Sequence, residues 1–156
     1  MAVNSKPDSN INAVYGAELA LQADYPDTLG REIKPHEARR LSKHIINHPA
    51  LDNEPGIEKA RKSIRTKISV RTGIIDKLAP GMAAATNFHG TTLYSKNQPI
   101  TVGTVSHETA HKILAHGNPD AKHGPEFTAL HEHIMTNVFN DRRGNTRKYY
   151  NEFGAK

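Results

Sequence analysis

The 156-residue sequence predicts a single α+β domain, rich in helix, with a small antiparallel sheet just ahead of one helix. Three observations lead there. Apolar residues recur at three- and four-residue spacing through five separate stretches, the period of helices with one buried face. Between the third and fourth stretches, residues 83–95 read as a strand, a tight turn at His89-Gly90 and a second strand. The fourth stretch contains His107-Glu108-Thr109-Ala110-His111, whose two histidines share one face if residues 101–116 form a helix.

In chain order, residues 1–10 are polar, hold Pro7 and Asp8, and read as a flexible arm. Residues 11–25 carry Ile11, Val14, Tyr15 and Leu19 at helical spacing, stopped by Pro26-Asp27. Pro35 suits a helix start, and Ala38, Leu41, Ile45 and Ile46 give the next helix its apolar face up to His48-Pro49. His36, His44 and His48 read as surface or capping residues. After the break at Asn53-Glu54-Pro55-Gly56, Ile57, Ala60, Ile64 and Ile68 form a third face. The segment around that face is basic. Across residues 57–77 stand Lys59, Arg61, Lys62, Arg65, Lys67, Arg71 and Lys77 against Glu58 and Asp76, a local excess equal to the formal net charge of the whole chain, +5. Such a helix could lie along a phosphate backbone or an acidic protein surface, or be a solvated face.

The domain organisation expected is an arm over 1–10, one domain over 11–140 and a tail over 141–156. Within the domain, 11–78 is a helical scaffold and 83–140 the chemical core. The tail follows a polar break at residues 140–145, and its Tyr149, Tyr150 and Phe153 dock either on the body or on a partner. Hydrophobic content of 36% with few aromatics suits a modest core rich in Ala and Ile. No stretch approaches the roughly 18 apolar residues of a membrane span, and no apolar secretory core is found near residue 1, so a soluble cytoplasmic protein is expected. The absence of cysteine excludes disulfides and thiolate metal sites. A pI of about 9.5 allows acidic partners such as nucleic acid without requiring them.

The chemistry is concentrated at residues 107–123. Residues four apart on a helix sit about 40° apart round the axis and about 6 Å along it, so His107 and His111 can reach one metal ion. Glu108 lies about 100° round from His107; it flanks that ion and is free to hold a water. Gly117 suits the left-handed position that ends a helix, and Asn118-Pro119-Asp120 turns the chain back. His123 then returns as a third ligand. Gly124 is placed to cap, and Pro125 to begin, a last helix with Phe127, Leu130, Ile134 and Val138 on one face. Three neutral imidazoles and an open position describe a catalytic zinc site, whereas structural sites close with a fourth protein ligand.

Together, His107-Glu108-x-x-His111 and His123-Gly124-x-x-Phe127 resemble the SprT-like branch of the zinc metallopeptidases, and small metallohydrolases of actinobacteria and their phages. The resemblance covers about residues 83–138. It implies a zincin-like fold, Zn2+ held by His107, His111 and His123, and Glu108 as general base. It also implies an edge strand that pairs with an extended peptide near Phe88 or Tyr94. The chain lacks the cysteine zinc ribbon of many SprT-like proteins, so the DNA-repair role of some relatives is not implied. The metzincin spacing fails, because Leu114 and Gly117 stand where a Gly and a His are needed. A zincin with a carboxylate ligand would draw on Glu126 or Glu132.

The expectation is a zinc-dependent peptidase or amide hydrolase. The alternative is a non-catalytic, zinc-stabilised structural or nucleic-acid-associated phage protein, virion-borne if phage-encoded, with Lys59, Arg61, Lys62, Arg65 and Lys67 as contacts. For the transition-state donor, His131 and Tyr94 lead, with Tyr149 and Tyr150 behind them. His116 points away from the metal face, and His133 toward solvent. For the carboxylates that orient the ligands, Asp120, Glu126 and Glu132 are nearest in sequence, with nothing to choose among them.

Overall fold

The computed structural model describes residues 8–66, 70–87, 91–141 and 143–156, with only the backbone for residues 64–66, 70 and 71. Lys67, Ile68, Phe88, His89 and residues 1–7 of the arm lie outside the described residues, as do the side chains of Ile64, Arg65 and Arg71.

The chain is α+β and helix-rich. Helix α1 (Ile11–Asp24) buries Val14, Ala17, Glu18 and Leu21. That stripe is turned from the one the large apolar residues suggested: Tyr15 is half-buried and Leu19 is 67% exposed. Small residues set the contact. A Cβ at Gly16 would stand 2.8 Å from the Phe153 ring, so the absence of a side chain there lets the C-terminal segment lie close against α1.

After β1 (Glu32–Ile33), α2 (Pro35–Ile46) begins at the expected proline, with Glu37 accepting from the backbone N–H of Lys34 at 3.2 Å. Helix α3 (Ile57–Thr66) is shorter than the sequence suggested. The basic segment is not one helix, since Arg71 falls in strand β2 (Val70–Thr72) and Lys77 in a separate turn of helix, α4 (Ile75–Leu78).

Strands β3 (Ala84–Thr86) and β4 (Thr92–Tyr94) form the expected antiparallel hairpin. The sheet order is β2-β4-β3, so β4 is flanked and β3 is an edge. The unanticipated member is β2, which pairs parallel to β4. A second ladder joins β1 to β5 (Ile100–Thr101), which runs directly into α5 (Val102–His116). Thr101 caps that helix, its hydroxyl accepting from the Thr104 N–H at 3.1 Å. Helix α5 is central. Ala110 and Ile113 join the larger core with Val14, Ile45, Phe127 and Ile134, while Val102 and Val105 join a smaller one with Ile33, Ala38 and Tyr94.

Gly117 ends α5 with φ −107°, so the left-handed expectation was wrong. Its glycine answers a close approach instead. A Cβ there would meet the Pro55 carbonyl at 2.6 Å, where the start of α3 crosses the end of α5. Helix α6 (Pro125–Asn137) starts at Gly124-Pro125 as expected and buries Phe127, Leu130 and Ile134.

The tail belongs to the body. Its helix α7 (Asn145–Glu152) packs on α1, and Tyr150 and Ala155 are part of the larger core. Tyr149 donates to Asp24. The end of the arm is fixed as well, since the Asn10 side chain donates to the carbonyls of His123 (2.6 Å) and Lys156 (3.2 Å) and accepts from the Lys156 N–H (3.0 Å). Among the described residues, no helix is long and apolar enough to cross a membrane.

Candidate metal centre

Helix α5 presents His107 and His111 one turn apart, and the turn before α6 returns His123 to them. The three Nε2 atoms form a triangle with sides of 3.2 Å (His107 to His111), 3.0 Å (His111 to His123) and 3.2 Å (His123 to His107). Two nitrogens bound tetrahedrally to one zinc at 2.0–2.1 Å stand about 3.3–3.4 Å apart, so the triangle fits a single small cation. The donor chemistry agrees. His107 turns Nδ1 to Glu18 Oε2 at 2.6 Å and His123 turns Nδ1 to Asp8 Oδ2 at 2.6 Å, which makes each Nδ1 the donor. The Nε2 lone pairs of both rings then converge, an arrangement that a bound cation relieves. Burial pushes His107 down to about 3 and His111 down to about 2, with their neighbouring histidines adding to it, so both rings are neutral at pH 7. These three residues are the group able to hold a metal among the described residues.

Beneath the triad lies Phe127. Its ring centroid is 4.7 Å from that of His107, 4.6 Å from His111 and 5.1 Å from His123, a wall that limits rotation of all three. Behind His107 is a closed network. Glu18 also approaches the Tyr150 hydroxyl (3.2 Å) and His131 Nδ1 (3.1 Å) through Oε1, while His131 Nδ1 meets the Tyr150 hydroxyl at 2.6 Å and Nε2 meets Ser106 at 3.0 Å. Burial raises the Glu18 carboxyl, and His131, Tyr150 and His123 pull it back.

The other side is open. Glu108 is 4% exposed; its Oε2 accepts from the Thr86 hydroxyl at 2.6 Å, and its Oε1 is 4.0 Å from His107 Nε2. Burial pushes this carboxyl up to about 7, with Glu18 adding to it and Thr86 and Lys112 opposing. A cavity of about 300 Å³ opens there, lined by Tyr15, Leu19, Met82, Ala84, His107 and Glu108 among others. Edge strand β3 borders it. Ala83 and Asn87 bond to β4's side through Ser95 and Thr91, so the alternation of an antiparallel pair turns the backbone groups of Ala84 and Thr86 to the free edge.

The sequence placed the three histidines and Glu108 in one spot, and the structure brings them together. It places other candidates elsewhere. The carboxylates that hold the histidine rings are Glu18 and Asp8, in place of Asp120, Glu126 and Glu132: Asp120 is exposed, Glu126 takes the Asn118 amide at 2.6 Å, and Glu132 pairs with Arg147 at 2.8 Å. His131 has both ring nitrogens engaged behind His107, and the Tyr150 hydroxyl sits in the same network. Tyr94 is 1% exposed on β4. His133 is half-buried and reaches the Ala50 carbonyl at 2.8 Å, where solvent was expected; His48 accepts from the Ala50 N–H.

Of the basic residues, Arg61 is used internally. It donates to the carbonyls of Ile46 (2.9 Å) and His48 (3.0 Å) and pairs with Asp52 at 2.9 Å, so it closes the end of α2. Lys59 and Lys62 are exposed. Sequence reasoning missed Glu18, Asp8 and Tyr15. A signal for Glu18 existed: a carboxylate in line with Val14, Ala17 and Leu21, where an apolar residue would serve if packing were the whole task. No family model, curated protein or solved structure matches the chain.

Proposed function

We propose that this chain is a metal-dependent hydrolase of peptide or related amide bonds, zincin-like and of SprT-like type, with zinc as its metal. The observation that carries this reading is Glu108, a buried carboxylate beside three convergent imidazoles and open to a cavity. A site that only tied helices together would have no use for it, and burying it costs stability. Zinc bound by His107, His111 and His123 would keep its double charge, lower the pKa of water to about 7 and polarise a carbonyl.

The chain's own residues do the rest. Thr86 holds Glu108 by Oε2 and leaves Oε1 toward the triad. As the water oxygen adds to the carbonyl carbon, Glu108 accepts the proton that water loses. It then delivers that proton to the amide nitrogen as the C–N bond breaks, giving a carboxylic acid and an amine. Glu18 and Asp8 hold the His107 and His123 rings in the tautomer that faces the metal. The free edge of β3 favours an extended peptide over other amides, since Ala84 offers a donor and an acceptor to an added strand.

The test pairs metal content with hydrolysis of an unstructured protein, in wild type and Glu108→Gln. One metal per chain in both forms, identified as zinc by elemental analysis, with cleavage by the wild type alone, is the expected result. Equal cleavage by both forms would remove Glu108 from the chemistry, and a wild type without metal would end the reading.

A further inference from the structure

We propose that Tyr15 is a catalytic residue of this centre, its hydroxyl donating a hydrogen bond to the scissile carbonyl oxygen as that oxygen gains negative charge. The assignment rests on the hydrolase reading and deepens it. Addition of water to an amide carbonyl builds charge on oxygen, and a fixed donor aimed at that position stabilises it more than it stabilises the ground state. The other hydroxyls and imidazoles near the centre are committed. His131 and Tyr150 bond one another, Tyr150 also bonds Glu18, and Tyr149 donates to Asp24. Tyr94 is enclosed on β4.

Tyr15 is placed differently. It sits on α1 one turn before Glu18, and its ring lies over two of the three ligands, with centroids 5.5 Å from His107 and 5.1 Å, edge-on, from His123. It lines the cavity that Glu108 faces. Among the described residues its hydroxyl has no hydrogen-bond partner, so nothing must be broken before it can serve a ligand. Burial and the nearby carboxylates, Glu108 first, then Glu18 and Asp8, push the phenol up to about 12. A phenol at its ordinary value is already a neutral donor at neutral pH. No proton leaves Tyr15 in this role; the proton taken from water still travels by way of Glu108.

The side chain was invisible to motif reading because it lies 92 positions before His107 in the sequence. Its helix is brought over the triad by contacts distant in sequence, the Glu18–His107 hydrogen bond among them.

The experiment compares wild type with Tyr15→Phe, which keeps the ring and removes the oxygen. Three quantities are read on the zinc-loaded proteins: zinc affinity by competition with a chromophoric chelator, binding of a phosphinic pseudopeptide by calorimetry, and kcat and KM on an unstructured peptide. The phosphinate carries two oxygens on a tetrahedral centre and so probes the donor without turnover. The expected result is unchanged zinc affinity, phosphinate binding weaker by about 10²-fold, kcat lower by about 10²–10³-fold and KM nearly unchanged. Equal phosphinate affinity and equal kcat in the two forms would overturn the assignment of Tyr15 and leave the hydrolase reading standing. Zinc affinity lower by more than about tenfold in Tyr15→Phe would make the phenol a ligand and overturn the donor role. A wild type that neither cleaves nor binds the phosphinate would overturn both.

Discussion

Two carboxylates buried against His107, Glu18 and Glu108, are treated in opposite ways. Behind His107, Glu18 is hydrogen-bonded to His107 at 2.6 Å and Tyr150 at 3.2 Å, and His131 Nδ1 stands 3.1 Å from it. In front, Glu108 accepts from the Thr86 hydroxyl through Oε2, its Oε1 lies 4.0 Å from His107 Nε2, and the cavity that both carboxylates line opens beside it. A buried charge that is saturated with partners is fixed in place and serves the structure. One that takes a single hydroxyl at one oxygen beside a cavity, with its carboxyl pushed up to about 7, suits the proton exchange proposed for it. Burial alone does not separate the two roles; the kind and placement of the partners do.

The same substitution on the two sides sharpens this contrast. Glu108→Gln should lower peptide cleavage by about 10²–10⁴-fold while metal content and melting temperature hold or rise, because Thr86 can still donate to the amide oxygen and a buried charge is gone. A melting temperature that falls with activity would break the distinction. Phe127→Ala removes the wall shared by all three ligands and should cost about 3–5 kcal/mol in denaturant unfolding. Glu18→Gln should weaken zinc by about 10–100-fold in a chelator competition and also lower the melting temperature, since the amide's NH2 turns a donor toward the His107 N–H or the Tyr150 hydroxyl. Asp8→Asn should do the same at the lower end of that range, because the Asp8 side chain is 21% exposed.

The smallest effect is expected far from the triad, at Asp76 under the sheet. The Ser95 hydroxyl (2.5 Å) and the Lys96 N–H (2.9 Å) hold its carboxyl below the usual range. A depressed carboxyl contributes stability above the usual carboxylate range and loses it as the pH falls through the lowered value. Melting curves of wild type and Asp76→Asn should therefore differ slightly at neutral pH and converge in acid.

Much of the centre was legible because its signals are local. The four-residue spacing of His107 and His111, and Gly124-Pro125 after His123, are fixed by helix geometry and need no partner to be read. The hairpin of β3 and β4 was legible for the same reason. What escaped depends on distance along the chain. Glu18 meets His107 across 89 positions and Asp8 meets His123 across 115, and no periodicity encodes such a pair. The face of α1 was misjudged because weight was given to Leu19, whereas Gly16 and Ala17 decide how closely α7 approaches. The parallel strand β2 was hidden inside a run of charge that read as continuous helix.

The clasp made by Asn10 bears on the order of folding. One amide side chain bonds the His123 carbonyl and both backbone groups of Lys156, so three stretches of chain separated by more than a hundred positions and by thirty-three meet at the loop that carries His123. Closing loops of that length is entropically expensive and comes late. Uptake of the proposed metal should then be a final event, with His107 and His111 aligned early by local helix formation and His123 locked only when Asn10 and Lys156 have docked. In a refolding experiment, a cation present from the start would trap the finished molecule without hastening its formation.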